Sequence, residues 1–328
     1  MMKYFLLMLL SLGAIGCNKV PENMTQAEPF GAGPYSVGST NIEVAPEHAD
    51  IGDRVMHEYL LGRASKPGQP RFMTDILRYP ESAYIVDVSV PEEHEIYGPA
   101  RGLALPVVTF ITYPSSERQQ KNRYAFPYYD AQYGEFEDML GPGEAPHFAD
   151  PEERYPLIIL AHGAAAHGIY DVGRAHNLAS HGYIVAVINY GDDRAGSTRQ
   201  QDLHLPYLRP LLTKAVLDAL LADETYGPRI DADNIGISGH SFGGFTALAV
   251  AGGPFQGNTA TVSDKRIKAA SIAAPWVGGH YNGNDFFAFG PNNADLNRVA
   301  IPIISLFGTK DEAIPASFIL PAMKQLAG

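Results

Sequence analysis

Short runs of β-branched and apolar residues alternate with stretches of helical periodicity through most of this chain, and this alternation limits the possible folds. The strand-like runs are residues 84–90, 107–113, 157–161, 183–190, 234–238, 267–273 and 301–307. The helical stretches are residues 171–180, 208–221, 242–251 and 317–326. Helices that separate successive strands are typical of parallel sheets. The sequence therefore predicts an α/β fold with a mostly parallel central sheet flanked by helices.

Two segments interrupt the alternation. Residues 114–155 are rich in Tyr, Pro and acidic residues, and they are too long for a plain connection between strands. This aromatic insert could cover the mouth of a site, or it could pack on the outside of the domain. Residues 277–297 form a second excursion, which precedes a late strand and is therefore expected near the carboxyl edge of the sheet.

The overall charge excludes one class of partner. The chain has 328 residues, with 24 Lys and Arg against 36 Asp and Glu, so its formal net charge is -12. It contains no basic run that could follow a phosphate backbone, so we expect no nucleic-acid partner. Its 45% hydrophobic content is enough to fill a sizeable core, and we expect a monomer.

The first residues are typical of a targeting segment. Lys3 precedes an almost wholly apolar run over residues 4–12, which is too short to span a bilayer comfortably. The run ends in Gly-Ala-Ile-Gly-Cys at residues 13–17 and resembles a bacterial lipoprotein signal. This resemblance implies a signal peptide over residues 1–17, lipidation of Cys17 and export to the bacterial cell envelope. Ala14 stands where such signals usually carry Leu, so cleavage as an ordinary secretory peptide remains open.

The composition beyond Cys17 changes twice. Residues 18–40 carry Pro, Glu, Asn, Gly and Ser without apolar periodicity, and they are interpreted as a flexible tether between membrane and domain. The α/β domain is then expected over residues 41–328.

The candidate catalytic motif is Gly239-His240-Ser241-Phe242-Gly243, which lies between a predicted strand and a predicted helix. A Gly-x-Ser-x-Gly turn in this setting lifts the serine oxygen clear of the sheet in a strained conformation, and the glycines remove clashes. Ser241 is therefore the candidate nucleophile. A glycine-rich turn without function is the alternative.

A serine nucleophile needs backbone donors for the negative oxygen that forms during attack. One donor should follow the serine, which assigns Phe242. The other should lie in the loop after an earlier strand, where His162-Gly163-Ala164 follows residues 157–161, which assigns Ala164. His162 itself is expected to order the loop rather than to titrate.

The acid that orients a catalytic histidine should lie at the tip of a late strand. Asp311 follows residues 301–307 through Gly308-Thr309-Lys310, and it is the candidate. An aspartate that only stabilises a turn is the alternative. Asp285 and Asp295 in the preceding excursion are second choices.

These motifs together resemble the α/β-hydrolase superfamily, in particular the group of predicted dienelactone hydrolases, platelet-activating-factor acetylhydrolases and bacterial polyester hydrolases. The matching stretches are residues 155–163, 179–185, 239–244 and 308–311. The resemblance implies an α/β-hydrolase fold from about residue 84 onward and a cofactor-free ester hydrolase. Ala274-Pro275-Trp276 resembles the stretch that contributes a substrate-facing Trp in polyester hydrolases, and a buried core Trp is the equal alternative.

One element of the family pattern is absent. The family's catalytic histidine follows one more strand beyond the acid, whereas the eleven histidines of this chain all precede Asp311. The resemblance therefore implies that the last strand and last helix are missing, that the domain is incomplete at its C-terminus, and that this chain is nearly inactive. His280 is the best internal substitute, although a chance loop histidine is the simpler interpretation.

The sequence is consistent with two functions. The first is a serine carboxylic ester hydrolase that forms an acyl-enzyme on Ser241 and acts on lipid-like, aromatic or polyester substrates. The second is a non-catalytic or impaired surface lipoprotein that keeps the hydrolase scaffold. We expect no cofactor and no metal, because a site built from His162, His167 and Asp171 lacks a compact ligand motif. The expected partners are a small-molecule or polymeric ester and the membrane that holds the lipid anchor.

Overall fold

The computed structural model describes residues 31–45, 72–116, 139–164, 166, 168–191, 204–281 and 283–326. Its strands are β1 Ser36–Ser39, β2 Tyr84–Ser89, β3 Ala104–Ser115, β4 Tyr155–Ala161, β5 Ile184–Ile188, β6 Ile230–His240, β7 Ile267–Ala273, β8 Gly278–Tyr281, β9 Asn284–Phe287 and β10 Ile303–Leu306. Its α-helices are α1 Val172–Ser180, α2 Leu205–Ala222, α3 Phe242–Val250 and α4 Ala316–Met323.

The main sheet has the order β1-β3-β5-β4-β6-β7-β10, and β2 pairs with β3 as well. The strands β5, β4, β6, β7 and β10 are parallel to their neighbours in this half of the sheet. β3 runs antiparallel to β5, and β1 and β2 run antiparallel to β3. The structure thus confirms the predicted α/β fold with a mostly parallel central sheet.

Helices cover both faces of the sheet because the central strands are apolar on both sides. Every residue of β5 is buried, and five of the seven in β4 are buried. One face packs against α2 and α3, whose Val216 and Phe245 belong to the larger core cluster. The other face packs against α1, whose Val172 and Ala175 belong to a second cluster. A strand that supplies both clusters has no polar alternation, as the continuous run at residues 157–161 indicates.

The first strand corrects the boundary of the predicted tether. Residues 36–39 form β1 and pair with residues 112–115 of β3, so they belong to the sheet. Thr40 extends this contact, since its backbone N–H donates to the Ile111 carbonyl at 2.9 Å and its Oγ1 accepts the Ile111 N–H at 3.0 Å. The prediction failed here because a four-residue strand is too short to show periodicity. Residues 18–30 lie outside the described part of the chain.

The two predicted excursions differ in outcome. In the second, β8 and β9 pair as an antiparallel hairpin, and Pro291–Arg298 is a 3₁₀ segment. In the aromatic insert, residues 139–154 are described and Ser115 bridges to Phe148, whereas residues 117–138 lie outside the described residues. The structure therefore leaves the role of the insert's Tyr-rich part as a prediction.

The sheet ends at β10 within the described residues. β10 pairs with β7 on one side, and its Ile304 and Leu306 are 65% and 63% exposed. The chain then continues through Asp311 into α4, close to the predicted helix at residues 317–326. Among the described helices, none is both long enough and apolar enough to cross a bilayer.

Candidate active site

Ser241 occupies the sharp turn between β6 and α3. Its backbone has φ 54° and ψ -117°, a conformation that side chains other than glycine rarely adopt. Three backbone hydrogen bonds hold it there. The Ser241 N–H donates to the Ala273 carbonyl at 2.9 Å, and the Ser241 carbonyl accepts the N–H groups of Trp276 at 2.9 Å and Phe245 at 3.2 Å. The strained serine is therefore fixed against the end of β7.

The glycines around the serine are required by close backbone approach. A Cβ on Gly243 would lie 1.9 Å from the Ala161 carbonyl oxygen, and a Cβ on Gly239 would lie 2.2 Å from the Gly243 oxygen. Real Cβ atoms do not approach backbone this closely. The motif is thus explained by packing of α3 onto the end of β4, as predicted for a strand-to-helix elbow.

The loop after β4 lies directly against Ser241. A Cβ on Gly163 would be 3.5 Å from the Cβ of Ser241 and 3.4 Å from Nδ1 of His240. Ala164 follows at a half-buried position, and Phe242 is the first residue of α3. The first N–H groups of a helix have no partner inside the helix, which leaves them available for a ligand. The structure thus brings Ser241, Phe242 and the loop of Ala164 together.

His162 is part of the scaffold. It is 3% exposed, its Nε2 accepts the Tyr190 N–H at 3.3 Å, and its Nδ1 lies 2.8 Å from the Gly163 carbonyl oxygen. Since the Tyr190 N–H can only donate, this contact assigns the ring proton to Nδ1, which faces the Gly163 carbonyl oxygen and also lies 3.3 Å from Arg209 Nη2. This geometry fits the predicted role of His162 in ordering the loop.

Asp311 lies at the same edge of the sheet as Ser241. β7 separates β6 from β10, and the three parallel strands end together there. Asp311 Oδ1 accepts the N–H groups of Ala313 at 2.9 Å and Ile314 at 3.0 Å, so the carboxylate also stabilises its turn. Both interpretations from the sequence therefore have a basis in the geometry, and an orienting role stays a prediction.

Trp276 is half-buried beside the elbow in a cluster of aromatic rings. Its ring centroid lies 5.6 Å from that of Phe242, 5.4 Å from that of Phe245 and 5.8 Å from that of Phe286, which stacks on it. Its Nε1–H donates to the Tyr281 hydroxyl at 3.0 Å. Trp276 is therefore both a member of the core and a wall next to Ser241.

The histidines near the site have other contacts. His280 Nδ1 lies 2.9 Å from Asp285 Oδ1 across the β8–β9 hairpin, with both side chains more than half exposed. Strand alternation puts this pair on the hairpin face opposite to Phe286 and hence to Trp276. Within the described residues, no hydrogen bond joins a histidine to the Ser241 hydroxyl or to the Asp311 carboxylate. His280 is therefore not placed as the substitute base.

An ion pair at the start of α1 contacts the strand that leads to Ser241. Asp171 Oδ1 lies 3.0 Å from Arg174 Nη2, and Arg174 Nη1 donates to Ser238 of β6 at 3.3 Å. Burial raises the pKa of the Asp171 carboxyl, while the positive charge of Arg174 acts in the opposite direction. These contacts tie the start of α1 to the strand that carries the nucleophile.

Arg209 is the residue that sequence reasoning missed. It is fully buried in α2, and its guanidinium hydrogen-bonds the carbonyl oxygens of His162 and Gly163 at 2.5 and 3.1 Å. An arginine within the otherwise apolar run of residues 205–212 was the available signal, because a buried charge requires several partners.

Two other predicted sites have separate outcomes. Cys17 and His167 lie outside the described residues. In the described part of the chain, no group of three or more His, Cys, Asp or Glu side chains is arranged to hold a metal ion.

A known protein family and a known protein are similar to this chain in sequence. Residues 133–206 match the family described as platelet-activating factor acetylhydrolase, isoform II. The platelet-activating factor acetylhydrolase of Canis lupus familiaris is 28% identical over 142 residues, which cover 29% of this chain and 32% of that protein. The chain thus spans about a third of the length of this curated relative.

A solved structure resembles three quarters of the chain. The ferulic acid esterase of Streptomyces cinnamoneus matches with a TM-score of 0.51 and 21% sequence identity, over 75% of this chain and 70% of that chain. Together with the sheet order and the elbow, these relatives show that the chain has the α/β-hydrolase fold, as its motifs imply.

Proposed function

We propose that the protein is a serine carboxylic ester hydrolase that forms an acyl-enzyme on Ser241. The observation that carries this proposal is the conformation of Ser241, a non-glycine residue held at φ 54° beside the Gly163 loop. Strained backbone of this kind is concentrated at functional sites, where the surrounding structure maintains it. The acetylhydrolase and the esterase that the chain resembles belong to the same reaction class.

In the proposed reaction, the Ser241 hydroxyl oxygen attacks the carbonyl carbon of the ester and loses its proton to a base. The carbonyl oxygen becomes negative, and the N–H groups of Phe242 and Ala164 donate to it. The partial positive charge at the start of α3 favours the same anion. The bond to the alcohol then breaks, the alcohol leaves with a proton, and water hydrolyses the acyl-serine in a second, equivalent cycle.

We assign Asp311 the role of orienting the histidine that acts as base, because it lies on the same sheet edge as Ser241. None of the described histidines is placed as that base, since the hydrogen bonds to Asp311 come from Ala313 and Ile314 and His280 pairs with Asp285. The alternative is a surface protein that keeps the hydrolase scaffold without catalysis. It is favoured by one observation: the described hydrogen bonds to the Asp311 carboxylate come from Ala313 and Ile314, and none comes from a histidine.

The substrate class follows from the surroundings of the serine. Trp276 and Phe242 form an apolar wall next to Ser241, which suits an acyl group that is lipid-like, aromatic or part of a polyester. We propose that the enzyme acts in the cell envelope as a monomer anchored through Cys17, on the basis of the N-terminal sequence. Neither a cofactor nor a nucleic acid takes part in this proposal.

A fluorophosphonate reagent and a p-nitrophenyl ester test the proposal together. We expect one fluorophosphonate adduct per chain in the intact mass, located on Ser241, and no adduct in Ser241→Ala. Any release of p-nitrophenol should depend on the same residue, since the acyl-enzyme cannot form without the hydroxyl. Rapid Ser241-dependent release would contradict the expectation that this chain is nearly inactive.

The matched control is Ser271→Ala, which removes an exposed hydroxyl from the neighbouring strand β7 and leaves the contacts of the elbow intact. Its labelling should equal that of the unaltered protein. Absence of any adduct would favour the non-catalytic scaffold, and an adduct that persists in Ser241→Ala would contradict the assigned nucleophile.

A further inference from the structure

Arg209 connects the two halves of the candidate site. It lies in α2 and is fully buried. Its Nη1 donates to the His162 carbonyl oxygen at 2.5 Å, and its Nη2 donates to the Gly163 carbonyl oxygen at 3.1 Å. Both acceptors are in the loop that carries Ala164. A single side chain thus holds two consecutive carbonyl groups of this loop.

The faces of the guanidinium contact aromatic rings. The Arg209 Cζ atom is 4.6 Å from the ring centroid of Tyr190 and 4.7 Å from that of Phe242. Cation–π contacts of this kind strengthen when they are shielded from water. Phe242 follows the nucleophile and is one of the two proposed oxyanion donors. The guanidinium therefore contacts the ring of one donor residue, Phe242, and the carbonyl of Gly163, which directly precedes the other donor residue, Ala164.

Peptide geometry transmits the effect of these bonds. In a trans peptide, the C=O of one residue and the N–H of the next lie in one plane and point in opposite directions. A donor that fixes the Gly163 carbonyl therefore also fixes the direction of the Ala164 N–H. The His162 ring donates from Nδ1 to the same carbonyl at 2.8 Å, which leaves this peptide plane little freedom to rotate.

We propose that Arg209 is a positioning residue, which aims the Ala164 N–H at the oxyanion and holds the ring of Phe242 beside it. This inference rests on the proposed function of Ser241. It differs from a purely structural role, because the loss of Arg209 should affect the transition state more than substrate binding or global stability.

The test compares Arg209→Met, which keeps an apolar stem of similar length, with Arg209→Lys, which keeps the charge but cannot span both carbonyls. We expect the rate constant of fluorophosphonate labelling to fall at least about tenfold in Arg209→Met, since a misplaced oxyanion donor costs this much or more. Arg209→Lys should lose less. The concentration of reagent that gives half-maximal rate should change little in either variant.

Thr213→Val is the matched control in the same helix. The Thr213 hydroxyl bonds the Arg209 carbonyl at 2.8 Å and the Tyr190 hydroxyl at 2.7 Å, so its loss disturbs the same buried region without touching the guanidinium. We expect Thr213→Val to lower the thermal midpoint while it keeps the labelling rate within about threefold of the unaltered protein.

Amide hydrogen exchange separates this inference from the proposed function. Exchange in residues 162–164 should accelerate in both Arg209 variants and stay unchanged in Thr213→Val, whether or not Ser241 reacts. If the unaltered protein is not labelled but the loop responds, the proposed function fails together with the role in oxyanion binding, while the control of the loop conformation by Arg209 is confirmed. If a folded Arg209→Met, or Arg209→Lys where the former does not fold, matches the unaltered protein in loop exchange and labelling, the inference is wrong.

Discussion

At the residue scale, the strained backbone of Ser241 is maintained by the contacts around it. A left-handed conformation costs a non-glycine residue about 1 kcal/mol or more, so it persists only where surrounding contacts enforce it. The hydrogen bonds to Ala273, Trp276 and Phe245 supply that constraint. The close approach of Gly243 to Ala161 lets the helix start directly at the strand end.

The first residue-scale prediction concerns Gly243. Gly243→Ala places a methyl group 1.9 Å from the Ala161 carbonyl oxygen, so either the elbow or the end of β4 must shift. We expect labelling of Ser241 to be lost and the thermal midpoint to fall, as measured by intact mass and circular dichroism.

Gly173→Ala in α1 is the matched control, since a Cβ at that position has no atom within 4 Å. It should leave labelling unchanged and stabilise the helix by up to about 1 kcal/mol. Normal labelling in Gly243→Ala would contradict the packing explanation of the motif.

At the scale of elements, β1 shows how a short strand becomes part of the sheet. Its register places Gly38 opposite Tyr113, and a Cβ on Gly38 would lie 2.5 Å from the Tyr113 ring. The missing side chain thus allows the fully buried Tyr113 to pack under the strand. The strand is held further by Thr40, which bonds Ile111 in both directions.

Truncation tests the contribution of this element. A variant that begins at residue 41 lacks β1, whereas a variant that begins at residue 31 keeps it. We expect the variant that begins at residue 41 to have a thermal midpoint about 5 °C or more below that of the variant that begins at residue 31. Without β1, the end of β3 loses its backbone hydrogen bonds to that strand and Tyr113 becomes exposed. Differential scanning calorimetry measures the difference, and equal midpoints would show that β1 adds nothing to the fold.

At the scale of the whole molecule, a histidine in the layer between the sheet and α1 is expected to make stability depend on pH. The layer between the sheet and α1 contains His176, whose ring stacks on Phe110 with the centroids 6.0 Å apart. Burial lowers the pKa of His176 to about 4, because the charged ring would lose its hydration. Global stability should therefore depend on pH through this residue.

The direction of that dependence follows from the two states. Above the ordinary histidine pKa of about 6.5, the ring is neutral in both states and contributes nothing. As the pH falls from there toward 4, His176 becomes protonated in the unfolded chain but stays neutral in the folded chain. The free energy of unfolding therefore decreases. The loss stops growing below the folded pKa. We expect about 2 kcal/mol of this loss between pH 7 and pH 5.

His176→Phe should remove this component, since a phenyl ring can stack on Phe110 but cannot titrate. Urea denaturation at the two pH values measures it. His181→Gln, at an exposed position just after the same helix, should keep the full pH dependence. Identical pH dependence in His176→Phe and the unaltered protein would contradict a neutral buried histidine.

The sequence predicted most elements of the core because they are long and strongly apolar. β5 buries every residue and β4 buries five of its seven, and the buried leucines and valine of α2 recur at helical spacing, so these patterns do not depend on particular neighbours. The predictions were weaker where the chain depends on distant partners. β1 and the β8–β9 hairpin are four-residue strands, and they exist because β3 or each other offers a matching edge.

The candidate site divides in the same way. Ser241 could be found from the sequence because the tight turn requires glycine at Gly239 and Gly243, and both lie within two residues of the serine. Arg209 could not be assigned its role, because its partners lie 46 and 47 positions away and are backbone carbonyls. Carbonyl groups are present at every residue, so no pattern of residue types marks the two that it binds.

The sequence by itself therefore determined the strand-to-helix elbow, the order of the core elements and the class of fold, since local periodicity and turn chemistry are written in neighbouring residues. Only the tertiary structure decided that the Gly163 loop lies against Ser241, that Trp276 stands beside Phe242, and that a buried arginine joins these parts. Such contacts depend on how helices pack across the sheet, and that packing is a property of the whole chain.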